Sequence, residues 1–346
     1  MKLLLLALLG TLLAAPPPPP SDEARFRAQA EAGSTEASPR APYATRAQLE
    51  RRAVEVVGTD VVEAFEVGRT VQERPIWGFR VRSHARPTER KILVFAGIHP
   101  MEWVASEVAL ALLEDLAAHP IPGVEVVVVP LVNVDRRVEM ETALSAGQDL
   151  YFRFNADGVD LNRDWAHNRE PVAIWRHLLP GRYDPSPTGP LSQPETRALD
   201  SLAEAEDFDV VVSLHAFGGF FYHPWAGRFE RPPREDWKDH RRWGEIMAKG
   251  QGAQAYKVRQ LARWGFFFRG HGMEVDHFYA EHGAQSWLIE LTRSGLNPLR
   301  PATLRSDFRL YNPHNLDHHV EQGLSALRAL VGTHGWEVRH GRDWPY

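Results

Sequence analysis

The amino-acid sequence predicts one α/β domain built on a mixed, mostly parallel sheet with helices on both faces. Patterned sequence begins near Tyr43 and runs for roughly 290 residues to Val331 without a linker-like break, which is long but admissible for one domain. Several strand candidates are continuous apolar runs, as expected of strands that are buried on both faces of a sheet. Helix candidates lie between or after these runs, and this alternation favours a parallel or mixed sheet.

The elements alternate along the chain in a consistent order. A helix candidate comes first, then three strands, then two helix–strand pairs, and a last strand and a last helix close the domain. The strand candidates are Val61–Val67, Ile76–Val81, Ile92–Ile98, Val124–Val132, Val210–Leu214 and Trp287–Leu291. The helix candidates are Arg46–Val56, Trp103–Ala118, Glu195–Ala205 and Leu316–Val331.

Composition excludes several classes of function. The chain has 346 residues, 43% of them hydrophobic, and 45 acidic against 40 basic side chains give a formal net charge of −5. Without a basic excess, nucleic acid is not an expected partner. The chain has no cysteine, which excludes disulfides, a thiolate zinc site and a cysteine nucleophile. Any metal must therefore be bound by histidines and carboxylates.

The N-terminal segment predicts export. Met1–Ala15 has one lysine followed by an apolar run that is too short to span a bilayer comfortably, which is typical of a secretory signal peptide. An uncleaved N-terminal anchor is the alternative. Residues 16–42 are rich in Pro, Ala, Ser, Glu and Arg without apolar periodicity, so we expect a flexible leader. The domain is expected over 43–331, with a C-terminal tail over 332–346, and the chain is expected to be periplasmic or extracellular.

Polar side chains at three strand ends suggest a metal site. His99 and Glu102 follow one apolar strand, His215 ends another, and Glu290 lies inside a third. Two histidines and a glutamate are the ligand set of a catalytic zinc with an open position for water. Glu290 would then be the base that takes a proton from that water. Singly, His215 could be a hydrogen-bonded core residue and Glu290 a buried ion-pair partner.

A second cluster offers groups that could bind a carboxylate. Asn162 and Arg163 could form a planar fork plus an amide for a substrate carboxylate, and Arg153 could stabilise an oxyanion on a scissile carbonyl. A turn around Asp157-Gly158, with arginines that bond carbonyls or acids, explains the same spacing equally well.

Four ordered motifs resemble those of the zinc metallocarboxypeptidases, the relatives of carboxypeptidases A and B. The resemblance extends over roughly 43–331. The motifs are Gly97-Ile-His99-Pro-Met-Glu102-Trp103, Gly158-Val-Asp-Leu-Asn162-Arg163-Asp-Trp165 with Arg153 ahead of it, Ser213-Leu-His215-Ala-Phe, and Trp287-Leu-Ile-Glu290-Leu291.

The resemblance implies a fold and a set of roles. The sheet would be eight-stranded and lie between helices. One zinc ion would be bound by His99, Glu102 and His215, with Glu290 as the general base and acid. Asn162 and Arg163 would bind the free C-terminal carboxylate of the substrate, and Arg153 would polarise the carbonyl.

The sequence also departs from the family. The family's mobile tyrosine aligns with Phe268, whose ring excludes water but donates no hydrogen bond, so Tyr279 and Tyr256 are candidate substitutes. The same alignment places Val275 at the floor of the side-chain pocket, which favours an apolar or aromatic C-terminal residue. A one-residue shift would place Glu274 there instead and reverse that preference.

Together these observations predict an exported, zinc-dependent carboxypeptidase that acts on peptides or proteins with a free C-terminus. We expect a monomer that binds no nucleic acid and no membrane beyond its export signal. A zinc amidase or carboxypeptidase of cell-wall peptides is the alternative enzyme. An inactive protein that binds C-termini without cutting them is the alternative from another class.

Overall fold

One eight-stranded sheet organises the chain. The structure, a computed structural model, describes residues 19–170, 186–264, 269–295, 298–299, 301, 304 and 306–333. The strand order is β1-β2-β4-β3-β5-β8-β6-β7. The strands are β1 (Val62–Arg69), β2 (Pro75–Arg82), β3 (Arg90–Ala96), β4 (Val124–Val129), β5 (Val210–Ala216), β6 (Phe220–His223), β7 (Lys257–Gln260) and β8 (Gln285–Leu291).

The pairings confirm the predicted mixed, mostly parallel sheet. β4, β3, β5 and β8 form a continuous parallel centre, and β6 pairs in parallel with β7. The antiparallel pairs are β1 with β2, β2 with β4, and β6 with β8. All six residues of β4 are buried, as expected of a central strand covered on both faces.

Helices cover both faces of the sheet, and alternate residues of the central strands point into two separate apolar clusters. In β3, Ile92 and Val94 join the larger cluster, whereas Leu93 and Phe95 join the smaller cluster on the opposite face. The helices are α1 (Asp22–Ala32), α2 (Arg46–Val54), α3 (Trp103–Ala118), α4 (Val134–Ser145), α5 (Pro194–Glu206), α6 (Arg234–Gln251), α7 (Glu274–Ala280), α8 (Asp307–Tyr311) and α9 (Leu316–Val331).

Where predicted and observed elements differ, local chemistry gives the reason. The bounds of α3 and α9 are those predicted from sequence. β4 ends at Val129 rather than Val132, since Pro130 has no backbone N–H for the ladder. α6 is not among the helices predicted from sequence, because its eighteen residues are mostly charged or polar.

The segment expected to be a flexible leader is in part an ordered helix, which corrects the prediction for 16–42. α1 begins after Ser21, whose side chain accepts a hydrogen bond from the backbone N–H of Ala24. Phe26 is 0% exposed and packs edge-to-face against Trp77 and Phe79, with ring centroids 5.3 and 5.1 Å apart. Phe26 and Ala30 are the buried residues of α1, which explains why the segment shows no apolar periodicity.

Two further expectations concern the chain ends. The segments 1–15 and 334–346 lie outside the described residues, so the structure does not bear on the signal peptide or on most of the C-terminal tail. Within the described ranges, no helix has the length and apolar character that crossing a bilayer requires.

Phe26→Ala should lower the free energy of unfolding by about 3–5 kcal/mol, because it removes a fully buried ring from the α1–sheet contact. Denaturant unfolding measures this. Phe229→Ala is the matched control, since Phe229 is 40% exposed and its removal should cost less than about 1 kcal/mol. Equal losses for both variants would show that α1 does not belong to the cooperative domain.

Candidate active site

The sheet topology places the three candidate metal ligands at one edge. β3, β5 and β8 are parallel neighbours, and His215 lies opposite Glu290 in the β5–β8 register. His99 follows β3 through Gly97, whose φ of +70° is a conformation that favours glycine, and where a Cβ would lie 2.7 Å from Leu131 Cδ1. Glu102 is the residue immediately before α3. The turn between β3 and α3 therefore carries two of the three ligands.

The three side chains converge on one buried point. Nδ1 of His99 lies 2.8 Å from Oε1 of Glu102, and Nδ1 of His215 lies 3.1 Å from both His99 Nδ1 and Glu102 Oε2. All three residues are buried. Two imidazole nitrogens and a carboxylate oxygen facing one another are the donor set of a catalytic zinc site, so the residues present fit this metal.

Both histidines are oriented by a carboxylate at the outer nitrogen. Nε2 of His99 lies 3.0 Å from Oδ1 of Asp160, and Nε2 of His215 lies 2.9 Å from Oε1 of Glu274. Such partners fix the ring orientation and raise the basicity of the ligand nitrogen. From sequence, Glu274 is a candidate only for the side-chain pocket, and Asp160 has no predicted role. Glu274 is distant in sequence from His215, so no local pattern signals the pair.

The carboxylates also control protonation around His215. Burial alone would lower the pKa of His215, but Glu102 and Glu274 outweigh burial and raise it to about 10. Burial would raise the pKa of Glu102, yet His99 and His215 lower it to about 2. Because a ligand imidazole must be neutral, protons compete with a metal ion for His215.

Glu290 lies beside this point on β8. Burial raises the pKa of Glu290 to about 8; His215 opposes this rise and the Glu102 carboxylate adds to it. Among the described residues, Oε2 of Glu290 has no hydrogen-bond partner. A carboxylate with a raised proton affinity and an uncommitted oxygen suits transfer of a proton to and from a bound molecule.

Arg153, Asn162 and Arg163 are held next to the ligands by Asp160. Oδ2 of Asp160 accepts a hydrogen bond from Arg153 Nε at 2.8 Å. Its Oδ1 accepts one from the backbone N–H of Asn162 at 3.0 Å and caps the short helical turn Leu161–Arg163. Burial would raise the pKa of Asp160, but Arg153 and His99 hold it well below its ordinary value. The turn expected around Asp157-Gly158 is also present, so both interpretations of this segment describe part of it.

These groups line one cavity of about 750 Å³. The polar part of the lining contains the metal-ligand candidates His99 and Glu102, together with Glu290. The rest of the lining is largely apolar and is called the apolar wall. The polar residues beyond the ligands include Arg153, Asn162, Arg163 and Arg293, and the apolar wall includes Phe220, Tyr222, Leu261, Trp264 and Met273.

Of the pocket residues expected from sequence, Val275 and Tyr279 are not among the residues that line the cavity, and Phe268 is not among the described residues. Val275 is 0% exposed and belongs to the buried apolar cluster that also contains Tyr222 and Met273, two residues of the lining. Tyr279 is buried and donates a hydrogen bond to Asp236 Oδ2 at 2.7 Å, so it does not face the cavity. Phe268 lies outside the described residues.

Other tyrosines take up the positions near the site. The hydroxyl of Tyr256 accepts a hydrogen bond from the backbone N–H of Thr292 at 2.9 Å, and Tyr256 does not line the cavity. Among the described residues, the tyrosines that line it are Tyr222 and Tyr311. Tyr311 ends α8 and interacts electrostatically with Arg153. No sequence motif marks Tyr311, since α8 is a five-residue helix far along the chain from the ligands.

Comparisons with known proteins agree with this geometry. Residues 53–307 match the family model described as zinc carboxypeptidase. Carboxypeptidase O of Bos taurus is 22% identical over 258 residues, which cover 67% of this chain and 62% of that relative. Carboxypeptidase D of Homo sapiens is 27% identical over 170 residues, which cover 44% of this chain and 10% of that relative. The chain thus spans about 62% of the length of the carboxypeptidase O relative.

Solved structures show the same fold. The carboxypeptidase A of Helicoverpa armigera superposes with a TM-score of 0.65 at 19% identity, covering 89% of this chain and 79% of the other. At that identity the likeness bears on architecture alone, and it agrees with the eight-stranded sheet.

Zinc binding to the metal-free protein should tighten as the pH rises. His215, with a pKa of about 10, is protonated at neutral pH and must lose that proton to bind zinc. The affinity should therefore rise about tenfold per pH unit between pH 6.5 and 8.5. Competition with a chromophoric chelator measures this, and an affinity independent of pH would contradict the assignment of His215.

Glu274→Gln should weaken zinc binding about 10- to 100-fold once the affinities of both proteins are extrapolated to the deprotonated state of His215, because His215 loses its orienting carboxylate. Glu245→Gln on the surface of α6 is the control and should leave the affinity unchanged, since its side chain is exposed. Equal affinities for both variants would remove Glu274 from the metal site.

Proposed function

The chain belongs to the zinc carboxypeptidase family, and from that premise we propose that it is a zinc-dependent carboxypeptidase that hydrolyses the C-terminal peptide bond of peptides or proteins. The observation that carries this proposal is one cavity lined by His99, Glu102, Glu290 and the Asn162–Arg163 pair, with His215 completing the ligand set behind its wall. A metal, a proton acceptor and a carboxylate-binding fork are the components that metal-dependent removal of a C-terminal residue uses.

We assign the two ends of the C-terminal residue, its carboxylate and its side chain, to different parts of the cavity lining. Asn162 and Arg163 bind the free C-terminal carboxylate, which suits the planar donor fork of a guanidinium. Among the described residues, Oδ1 of Asn162 has no hydrogen-bond partner. Because Oδ1 is an acceptor, the substrate carboxylate would accept its hydrogen bond from Nδ2 of the same amide. The apolar wall receives the C-terminal side chain, which favours an apolar or aromatic residue. Glu274 is committed to His215 and does not select a basic residue.

The chemistry divides between the metal and the protein. Zinc, when bound, supplies a Lewis acid for the carbonyl oxygen and lowers the pKa of water. Glu290 accepts the proton of the attacking water and later donates it to the leaving amine nitrogen. Arg153, oriented by Asp160, stabilises the negative charge that develops on the carbonyl oxygen.

We assign to the hydroxyl of Tyr311 the role of a hydrogen-bond donor near the scissile bond. It lines the cavity and interacts electrostatically with Arg153, whereas Tyr279 and Tyr256 are committed elsewhere. Its phenol would donate a hydrogen bond to the substrate backbone beside Arg153.

Export is a further part of the proposal, supported by the charged start and apolar run of Met1–Ala15. A mature N-terminus that begins downstream of this segment in secreted material would support it. An intact Met1 on protein that stays inside the cell would contradict it.

The purified mature protein, loaded with zinc, should remove single C-terminal residues from a peptide library with free C-termini and leave the amidated half of the library intact. Peptide masses report the cuts, and apolar residues should be lost first. Glu290→Gln is the matched inactive variant and should retain zinc while losing at least about 10³-fold in kcat. Cleavage of amidated peptides, or full activity of Glu290→Gln, would overturn the proposal, and activity on cell-wall peptides alone would favour the amidase.

Tyr311→Phe should lower kcat/KM about tenfold or more, because it removes one donor near the reacting carbonyl. Tyr151→Phe is the control, since Tyr151 lies outside the cavity lining and its phenol bonds Asp149. Steady-state kinetics on one cleaved peptide compares the two variants. Identical kcat/KM values would exclude the Tyr311 hydroxyl from the reaction.

A further inference from the structure

A second cluster of histidines and a carboxylate lies apart from the cavity. Asp200 is on α5, His277 is on α7, and His282 follows α7 before β8. Nε2 of His277 lies 2.7 Å from Asp200 Oδ1, and Nε2 of His282 lies 2.8 Å from the same oxygen. None of the three lines the candidate active-site cavity.

We propose that Asp200, His277 and His282 form a second metal site, which binds a zinc-class divalent cation and clamps α5 to the end of α7. The three ligand atoms lie within 4.8 Å of one another, as do those of the His99–Glu102–His215 set. The proposal concerns stability and metal content, so it holds or fails independently of the carboxypeptidase activity.

The donor chemistry selects the class of metal. Two imidazole nitrogens and one carboxylate oxygen are ligands of zinc and its transition-metal neighbours, whereas magnesium and calcium prefer oxygen ligands. The catalytic set has the same composition, and the separations among its ligand atoms are 2.8 to 3.1 Å. Tetrahedral zinc, with bonds of about 2.0–2.1 Å, separates its ligand atoms by about 3.3 Å. In the second cluster the two nitrogen–oxygen separations are 2.7 and 2.8 Å, so each would lengthen by about half an ångström on binding zinc.

Burial leaves room for a water ligand. His277 is buried, whereas the side chains of His282 and Asp200 are 14% and 22% exposed. One side of the cluster is therefore open to solvent, where water completes a four-coordinate shell.

The position of the cluster explains what the ion would do. α7 begins with Glu274, which orients His215, and His277 lies one turn further along the same short helix. A cation shared by α5, α7 and the following loop would fix this seven-residue helix against the domain. The site is thus structural. From outside the cavity it stabilises the position of Glu274, which orients the metal-ligand candidate His215.

The second site should be the weaker of the two. His99 and His215 each have a carboxylate at the outer nitrogen, whereas Nδ1 of His277 has no hydrogen-bond partner among the described residues. Outer-nitrogen partners contribute about 10- to 100-fold in metal affinity. A graded chelator titration should therefore empty the second site first.

Zinc content of the intact chain tests the proposal. The wild-type protein is equilibrated at micromolar free zinc, desalted and analysed by mass spectrometry of the metal. Two zinc ions per chain are expected for the wild type, and one for His282→Ala. His119→Ala is the matched control, because His119 is exposed and forms a similar histidine–aspartate pair with Asp115 on α3. It should retain two.

A second set of variants keeps the test independent of folding defects. Asp200→Asn preserves a hydrogen-bonding group but removes the anionic ligand, and should also bind one zinc. In His99→Ala, where the catalytic set is broken, zinc should still raise the Tm, and adding His282→Ala should abolish that rise. Equal zinc contents in the wild type, His282→Ala and Asp200→Asn would overturn the proposal and leave Asp200 as a hydrogen-bond anchor for two histidines, whatever the occupancy of the His99–Glu102–His215 set.

Discussion

The candidate active site depends on one buried carboxylate, that of Asp160. Its two oxygens contact His99, Arg153 and the backbone N–H of Asn162, so the metal-binding and substrate-binding halves share a single anchor. Burying a carboxylate costs free energy unless the charge is paired, and here Arg153 and His99 offset the cost of burying Asp160. Loss of this charge would therefore release a histidine, an arginine and the turn that presents Arg163, rather than one contact.

The sheet supplies the second constraint. β3, β5 and β8 lie side by side and in parallel, so residues that follow or end these strands meet at one edge although they are far apart in sequence. The alternating burial of β3 into two clusters fixes the strand rigidly on both faces. His99, His215 and Glu290 are thus placed by the most buried part of the domain, which suits a site whose donor atoms must converge within a few tenths of an ångström.

Features with a local signature could be predicted from sequence, and features made by distant contacts could not. Apolar runs indicated the central strands, and the segments between or after those runs indicated α3 and α9. The three candidate ligands were recognisable because polar residues at the ends of apolar strands are unusual. The pairing of Glu274 with His215, by contrast, depends on how α7 docks against β5, which no short motif encodes. α1 was missed because two buried residues, Phe26 and Ala30, suffice to dock it and its remaining surface is charged.

The place of β8 in the sheet has a consequence for the order in which the molecule assembles. β8 is the last of the described strands in sequence, yet it lies between β5 and β6, so the β6–β7 pair cannot join the rest of the sheet until residues 285–291 have been synthesised. Such non-local pairing delays closure of the sheet until late in synthesis. The same strand carries Glu290, the proposed proton-transfer group, so this carboxylate reaches the candidate site only when the sheet closes. The cavity that it lines therefore cannot form ahead of the eighth strand.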